Sequence, residues 1–175
     1  MSMATDGLLN FWHFSASNEI VSIRNLPIDD KLNISLHQSG INSFDIKVVN
    51  DSEYILATGG DDNLLSLLIF EITLTSNEDL FIRTKSSWKS TSSHHAQITG
   101  LKLLNDNRLV SVGTDKQLLV HKYSVDGSKI SSILVEEKTL CISDVQGLTL
   151  CENQMTNTEL FCIYGKGLQL LKNSK

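Results

Sequence analysis

The feature that most restricts what this chain can fold into is a hairpin that recurs. Ile55-Leu56-Ala57-Thr58-Gly59-Gly60-Asp61-Asp62 leads into Asn63-Leu64-Leu65-Ser66-Leu67-Leu68-Ile69-Phe70, so two apolar runs flank a tight Gly/Asp turn. The same order stands upstream in Ala4-Thr5-Asp6-Gly7-Leu8-Leu9-Asn10-Phe11-Trp12. It stands again downstream in Leu109-Val110-Ser111-Val112-Gly113-Thr114-Asp115-Lys116-Gln117-Leu118-Leu119-Val120-His121. Repetition at a regular period points to an array of like units, each too thin to bury its apolar faces alone. The turn residues Asp6, Asp62 and Asp115 are 56 and 53 positions apart. Four short strands fit into each interval, which is the content of a propeller blade.

Around the hairpins the chain reads as strands separated by turn residues, and no stretch places apolar residues at helical spacing between caps. The expected class is all-β. Residues 1–30 form half a blade. Asp6-Gly7 is its turn, a strand from Leu8 carries Trp12, a second strand covers residues 19–23, and nothing upstream has room to pair across the turn. Residues 34–88 form a blade with an alternating first strand, Gly40-Ile41-Asn42-Ser43-Phe44-Asp45-Ile46, and a fourth near Leu80-Phe81-Ile82-Arg83. Residues 94–137 repeat the plan, from Gln97-Ile98-Thr99-Gly100-Leu101-Lys102-Leu103 to a fourth strand over 129–135, after the turn Asp126-Gly127. Residues 141–175 form a final blade of three strands, over 145–150, 160–164 and 168–171, the last two joined by Gly165-Lys166-Gly167.

Composition removes several function classes. The net charge of −5 lacks the basic footprint of a free-standing nucleic-acid binder. Cys141, Cys151 and Cys162 are odd in number and match no CxxC or Cys/His ligand spacing, so they read as reduced thiols packed as small hydrophobes. No basic segment followed by an apolar one opens the chain, and the longest apolar run, residues 64–70, is too short to cross a bilayer. An intracellular protein without membrane insertion is expected.

The repeats resemble WD40 repeats, and the resemblance covers nearly the whole chain. That pattern sets a His before the first strand, a Ser or Thr on the second, an Asp in the turn and a Trp on the third, joined in one hydrogen-bonded network. The matching residues are His37, Thr58 and Asp62 in one blade, His95, Ser111 and Asp115 in the next, and Asp6 and Trp12 in the half blade. Six residues after Asp62 and Asp115 stand Leu68 and His121 where the pattern has Trp, and the final blade matches none of the set. A WD-type blade has ~40–45 residues. The surplus here is expected in polar loops such as residues 86–93. A Ser/His/Asp set also suggests nucleophilic catalysis. Because it recurs in register beside apolar strands, scaffolding is the better reading, and no phosphate loop or metal spacing accompanies it.

One stretch stands apart. Arg83, Lys85, Trp88 and Lys89 lie in a window from Phe81 to His95 without an acidic residue. Cations beside an aromatic could meet an RNA backbone and stack a base. The plainer expectation is a solvated loop between blades.

Half a blade, two whole ones and a three-strand blade amount to about three blades of four-stranded antiparallel sheet, a partial ring, since closed propellers need 4–8. The expectation is the C-terminal part of a longer protein, poorly soluble or self-associating alone because sheet edges are open. His37-Gln38-Ser39-Gly40-Ile41-Asn42-Ser43, His95-Ala96-Gln97-Ile98-Thr99-Gly100-Leu101-Lys102 and Gly165-Lys166-Gly167-Leu168-Gln169-Leu170, behind Ala4-Thr5-Asp6-Gly7 and Phe11-Trp12, resemble the C-terminal end of the WD-repeat protein 6 family. The resemblance implies a non-enzymatic scaffold. Its partner would be the catalytic subunit of a tRNA ribose 2′-O-methyltransferase acting at the wobble position, with tRNA reached through the complex. S-adenosylmethionine would belong to the partner, leaving no cofactor here. A cytoplasmic location with a link to endosomal recycling is also implied. The other reading is a general WD40 interaction platform in trafficking or ubiquitin ligation.

Overall fold

A computed structural model describes residues 1–16, 21–26, 28–29, 36–74, 79–90, 93–127, 129–153 and 158–173. Strands account for the regular structure of these residues, and no helix occurs among them. The fold is a partial WD40-type propeller. Its half blade holds β1 (Ser2–Met3), β2 (Leu9–Asn10), β3 (Trp12–Ala16) and β4 (Val21–Asn25). After β5 (Ile28–Asp29), the second blade holds β6 (Ile41–Val48), β7 (Glu53–Gly60), β8 (Leu65–Leu74) and β9 (Leu80–Lys89). The third holds β10 (Ile98–Leu103), β11 (Arg108–Gly113), β12 (Gln117–Asp126) and β13 (Lys129–Thr139). Both blades are antiparallel meanders in chain order, and β5 adds a short parallel rung to the outer edge of β9.

The last blade contains β14 (Ser143–Asn153) and β15 (Thr158–Lys172). A straight strand of that length would set its ends on the order of 45 Å apart. Yet the Asn173 amide donates to the Glu159 carbonyl at 3.0 Å. The chain therefore reverses within β15 around Gly165-Lys166-Gly167, where Gly167 has φ +132°. Its two arms and β14 make three strands.

Alternation along each strand builds the layers between blades. On β12, Leu118 and Val120 point to the last blade, where they join Val145, Phe161 and Ile163. Tyr123 points the other way and packs with Leu101, Leu103 and the second blade's Ile55, Ala57 and Leu67. A third layer joins Phe11 and Leu26 to Leu56, Leu68 and Phe70. Each fully buried Leu or Ile contributes roughly 1.5–3 kcal/mol, so these layers hold the blades in register. Polar rungs bind the inner strands: Asp45 accepts from the Leu103 amide at 2.8 Å and pairs with Lys102 at 3.0 Å, and Ser43 accepts from the Leu101 amide at 3.1 Å.

Three expectations need correction. Residues 86–89 are not loop: β9 runs to Lys89, because alternate side chains such as Ile82 and Ser86 face inward and the backbone pairs with β8. The half blade does have a strand across its turn, since Ser2 pairs with Asn10 and Met3 with Leu9. The strand over 129–135 extends to Thr139. The expected start of a strand at residues 19–20 lies outside the described residues.

Candidate functional site

Two polar clusters repeat with the same geometry. In the second blade the turn Gly60-Asp61-Asp62-Asn63 closes with the Asn63 amide donating to the Gly60 carbonyl at 3.2 Å, and Asn63 has φ +64°. In the third, the Lys116 amide donates to the Gly113 carbonyl at 3.1 Å, and Lys116 has φ +61°. This geometry aims Asp62 and Asp115 back at the segment that enters the first strand. His37 Nδ1 donates to Asp62 at 2.7 Å, and its Nε2 accepts from the Thr58 hydroxyl at 2.9 Å. His94 Nδ1 donates to Asp115 at 3.0 Å, and its Nε2 accepts from the Ser111 hydroxyl at 2.9 Å. A neutral imidazole supplies one donor and one acceptor, and each ring uses both here.

Backbone amides complete the carboxylates. Asp62 also accepts from Gln38 and Leu64, and Asp115 from His95 and Gln117. Burial works against both charges, but the histidine and amide bonds outweigh it and hold both carboxyls below their ordinary range. Burial lowers the pKa of His94, and Asp115 opposes that only in part. The pair is thus neutral imidazole with ionised carboxylate.

Glycine is required beside each ring. A Cβ on Gly60 or Gly113 would lie 2.8 Å from Nδ1 of His37 or His94.

The imidazole of the third-blade cluster belongs to His94, not His95. His95 contributes only its backbone N–H, at 2.8 Å from Asp115, and its side chain is no part of the cluster. The reason is register: His37 precedes Ile41 by four residues, and His94 precedes Ile98 by four. Counting back from the first strand would have identified it.

The half blade carries the complementary half of the pattern. Trp12 Nε1 donates to Ser2 Oγ at 2.8 Å, and Asp6 accepts from the Leu8 amide at 3.0 Å. Ser2 precedes Asp6 by four residues, as Thr58 precedes Asp62 and Ser111 precedes Asp115. Ser2 stands in a strand of only two residues, too short to carry a strand pattern in the sequence. Leu68 is packed in the apolar layer. His121 does not close its blade's network: its Nδ1 has no hydrogen-bond partner among the described residues. In the last blade Cys141 stands four residues before Val145, and an exposed Asp144–Lys166 ion pair replaces the cluster.

Chemically these clusters are closed. The Ser111–His94–Asp115 order matches a nucleophile, base and orienting carboxylate. Ser111 and Thr58 are 0% and 1% exposed, however, so neither hydroxyl can meet a substrate. No group of His, Cys, Asp or Glu able to hold a metal occurs among the described residues.

The basic stretch is not a loop but part of β9, with Arg83 exposed and Lys85, Trp88 and Lys89 partly buried. Sheet pairing sets Glu71 opposite Arg83, and Lys85 reaches Glu71 at 2.8 Å and Glu53 at 3.7 Å. The hydrogen bond from Lys85 is the main cause that lowers the Glu71 carboxyl below its ordinary range. Lys89 approaches Asp62 at 3.9 Å, and Trp88 packs on the apolar layer with its ring 6.1 Å from that of His121. The acids absent from the window come from strands beside it and pair with its cations.

No protein-family model matches the chain. It is 25% identical over 135 residues to the tRNA (34-2′-O)-methyltransferase regulator WDR6 of Homo sapiens and to that of Pongo abelii. Each match covers 67% of this chain and 12% of the relative. The Mus musculus protein of the same name is 23% identical over the same share. The chain thus spans only a small part of the length of these relatives.

Proposed function

From a chain that is a partial, WDR6-like WD40 homologue, we infer a scaffold role in ribose 2′-O-methylation of tRNA at the wobble position. The partner is the methyltransferase subunit, which holds S-adenosylmethionine and performs the transfer. This chain supplies blade surface for assembly and needs no cofactor of its own. The cytoplasm is the proposed compartment, with endosomal association as a secondary one. The observation that carries the reading is the similarity to proteins named as regulators of that methyltransferase. The sealed Ser/Thr–His–Asp clusters support a non-catalytic part in it.

A general protein-interaction platform is the second reading. The pairing of Lys85 with Glu53 and Glu71 favours it, because it leaves little uncompensated positive charge for RNA. Affinity capture of the protein from its own cells separates the two. Recovery of a ribose methyltransferase, with loss of wobble 2′-O-methylation on gene deletion, is the expected result. Intact methylation after deletion would defeat the first reading.

A further inference from the structure

None of the cysteines is packed into an apolar layer as a small hydrophobe: Cys141 and Cys151 are exposed and Cys162 is half-buried. Two of them share one hairpin. Where β14 pairs with β15, Thr149 stands opposite Cys162 and Cys151 opposite Leu160. Side chains two apart along a strand, and those directly opposite across an antiparallel pair, lie on one face. Cys151 and Cys162 are therefore diagonal neighbours on the same face. The alternate residues Leu150, Phe161 and Ile163 pack toward the third blade, so both thiols point the other way. The two side chains are in contact. Burial, and then the neighbouring Cys151, which also shares a hydrogen bond with it, push the Cys162 thiol up.

The pair sits where this hairpin projects. Aligned on Ile98 and Val145, Leu103 corresponds to Leu150. The first hairpin of the third blade stops at the pairing of Leu103 with Leu109. In the last blade three more pairings follow, Cys151 with Leu160, Glu152 with Glu159 and Asn153 with Thr158. Cys151 thus stands past the end of the neighbouring blade's inner strands, open to solvent. Both cysteines belong to this one hairpin, so their juxtaposition owes nothing to any other blade.

We propose that Cys151 and Cys162 are a redox site, closed to a disulfide by a hydroperoxide and reopened by a small thiol. Cys151, the exposed member, attacks as the thiolate. Its sulfur bonds one peroxide oxygen, the O–O bond breaks, and the other oxygen leaves as hydroxide, which takes up the proton that Cys151 released. The Cys162 sulfur then attacks the sulfenic sulfur, the S–O bond breaks, and the departing hydroxide becomes water with the Cys162 proton. Two thiols have lost two electrons and two protons, and hydrogen peroxide has become two waters. A small thiol reverses the bond by two exchanges and ends as its own disulfide. The bond is a labile one. Diagonal Cα atoms lie roughly 7–8 Å apart, beyond the ~4.4–6.8 Å that a disulfide spans. Closure must draw the two strands together, and a bond formed against that resistance is readily reduced.

The odd number of cysteines supplies an internal control. The full chain, reduced and then treated with hydrogen peroxide, should lose two of its three free thiols. Peptide mapping by mass spectrometry should place the bond between Cys151 and Cys162 and leave Cys141 free, and dithiothreitol should restore all three. Cys151→Ser and Cys162→Ser should each abolish the internal bond, whereas Cys141→Ser should leave it unchanged, with circular dichroism confirming the fold of each variant. In Cys162→Ser, dimedone should trap the sulfenic acid on Cys151. The folded chain should close the pair roughly 10-fold faster than the chain in urea, because the hairpin holds the thiols together. Equal rates in the two conditions would overturn the inference. So would a bond that involves Cys141 or joins two copies, or oxidation of Cys151 to the sulfinic acid with Cys162 still free. Trapping on Cys162 in Cys151→Ser as fast as on Cys151 in Cys162→Ser would overturn the assigned order of attack.

Discussion

Six residues past the turn aspartate the second blade has Leu68 and the third has His121. Leu68 is buried with Leu56 and Phe70, where it needs no partner. His121 is equally buried, 4% exposed, with its ring beside Trp88 and its Nδ1 unpartnered among the described residues. Up to that point the blades agree bond for bond: the carboxylate, the two amides it accepts from, the imidazole and the hydroxyl. The polar clasp is therefore independent of the side chain six positions beyond its aspartate. A blade keeps its turn whether that position is filled by a hydrocarbon or by a desolvated ring.

The largest effect should come from breaking the part the blades share. His94→Ala leaves Asp115 buried with a missing donor, at a cost of roughly 3–5 kcal/mol. His95→Ala keeps the backbone bond and should stay within ~0.5 kcal/mol. Urea unfolding of both variants checks the assignment, and equal losses would refute it.

The part the blades do not share should respond to pH. Burial lowers the pKa of His121 to about 4, and the nearby His94 adds to the effect. The unfolded chain then binds this proton more readily than the folded one. Stability is full above the unfolded value of 6.5 and falls as pH drops toward about 4, by roughly 3 kcal/mol in all. His121→Leu, which copies the second blade, should flatten that slope in thermal melts between pH 7 and pH 4. The slope that remains belongs to His94, whose pKa burial also lowers, and toward pH 4 to the carboxyls of Glu71, Asp62 and Asp115, which are held below their ordinary range.

A smaller test concerns the glycine beneath the ring. Gly113→Ala places a Cβ 2.8 Å from His94 Nδ1 and 2.9 Å from the Gln97 carbonyl, at a cost of about 2 kcal/mol. Gly127→Ala meets nothing within 4 Å and bears only the strain of φ +57°, about 1 kcal/mol. Smallest of all, Lys85→Ala should cost about 0.5 kcal/mol, since its ion pairs lie at the surface and side-chain exposure is 33%. Melting temperatures of the three should fall in that order of loss.

Much of the architecture was legible because hairpins write themselves locally. Apolar alternation and a Gly/Asp turn identify β7–β8 and β11–β12 without reference to the rest of the chain. The turn at residues 165–167 was equally plain, although the strand around it is continuous. What was hidden depends on register between segments. His94 and His95 are adjacent, and only the four-residue count to Ile98 separates them. The polar end of β9 resembles a loop because its partners, Glu71 and the inward face of β8, lie outside the window. Ser2 could be placed only by counting from Asp6.

The separation in sequence of these bonds bears on the order in which the molecule assembles. His37 to Asp62 spans 25 residues and His94 to Asp115 spans 21. The rung from Leu103 to Asp45 spans 58, and the bond from Arg108 to Asn173 spans 65. Closing the longer loops costs on the order of 1 kcal/mol more in chain entropy before any contact compensates. Each clasp can thus form inside its own blade before a neighbour arrives, and the rungs form later as blades dock. In stopped-flow refolding His94→Ala should slow folding, whereas Asp45→Ala should mainly speed unfolding.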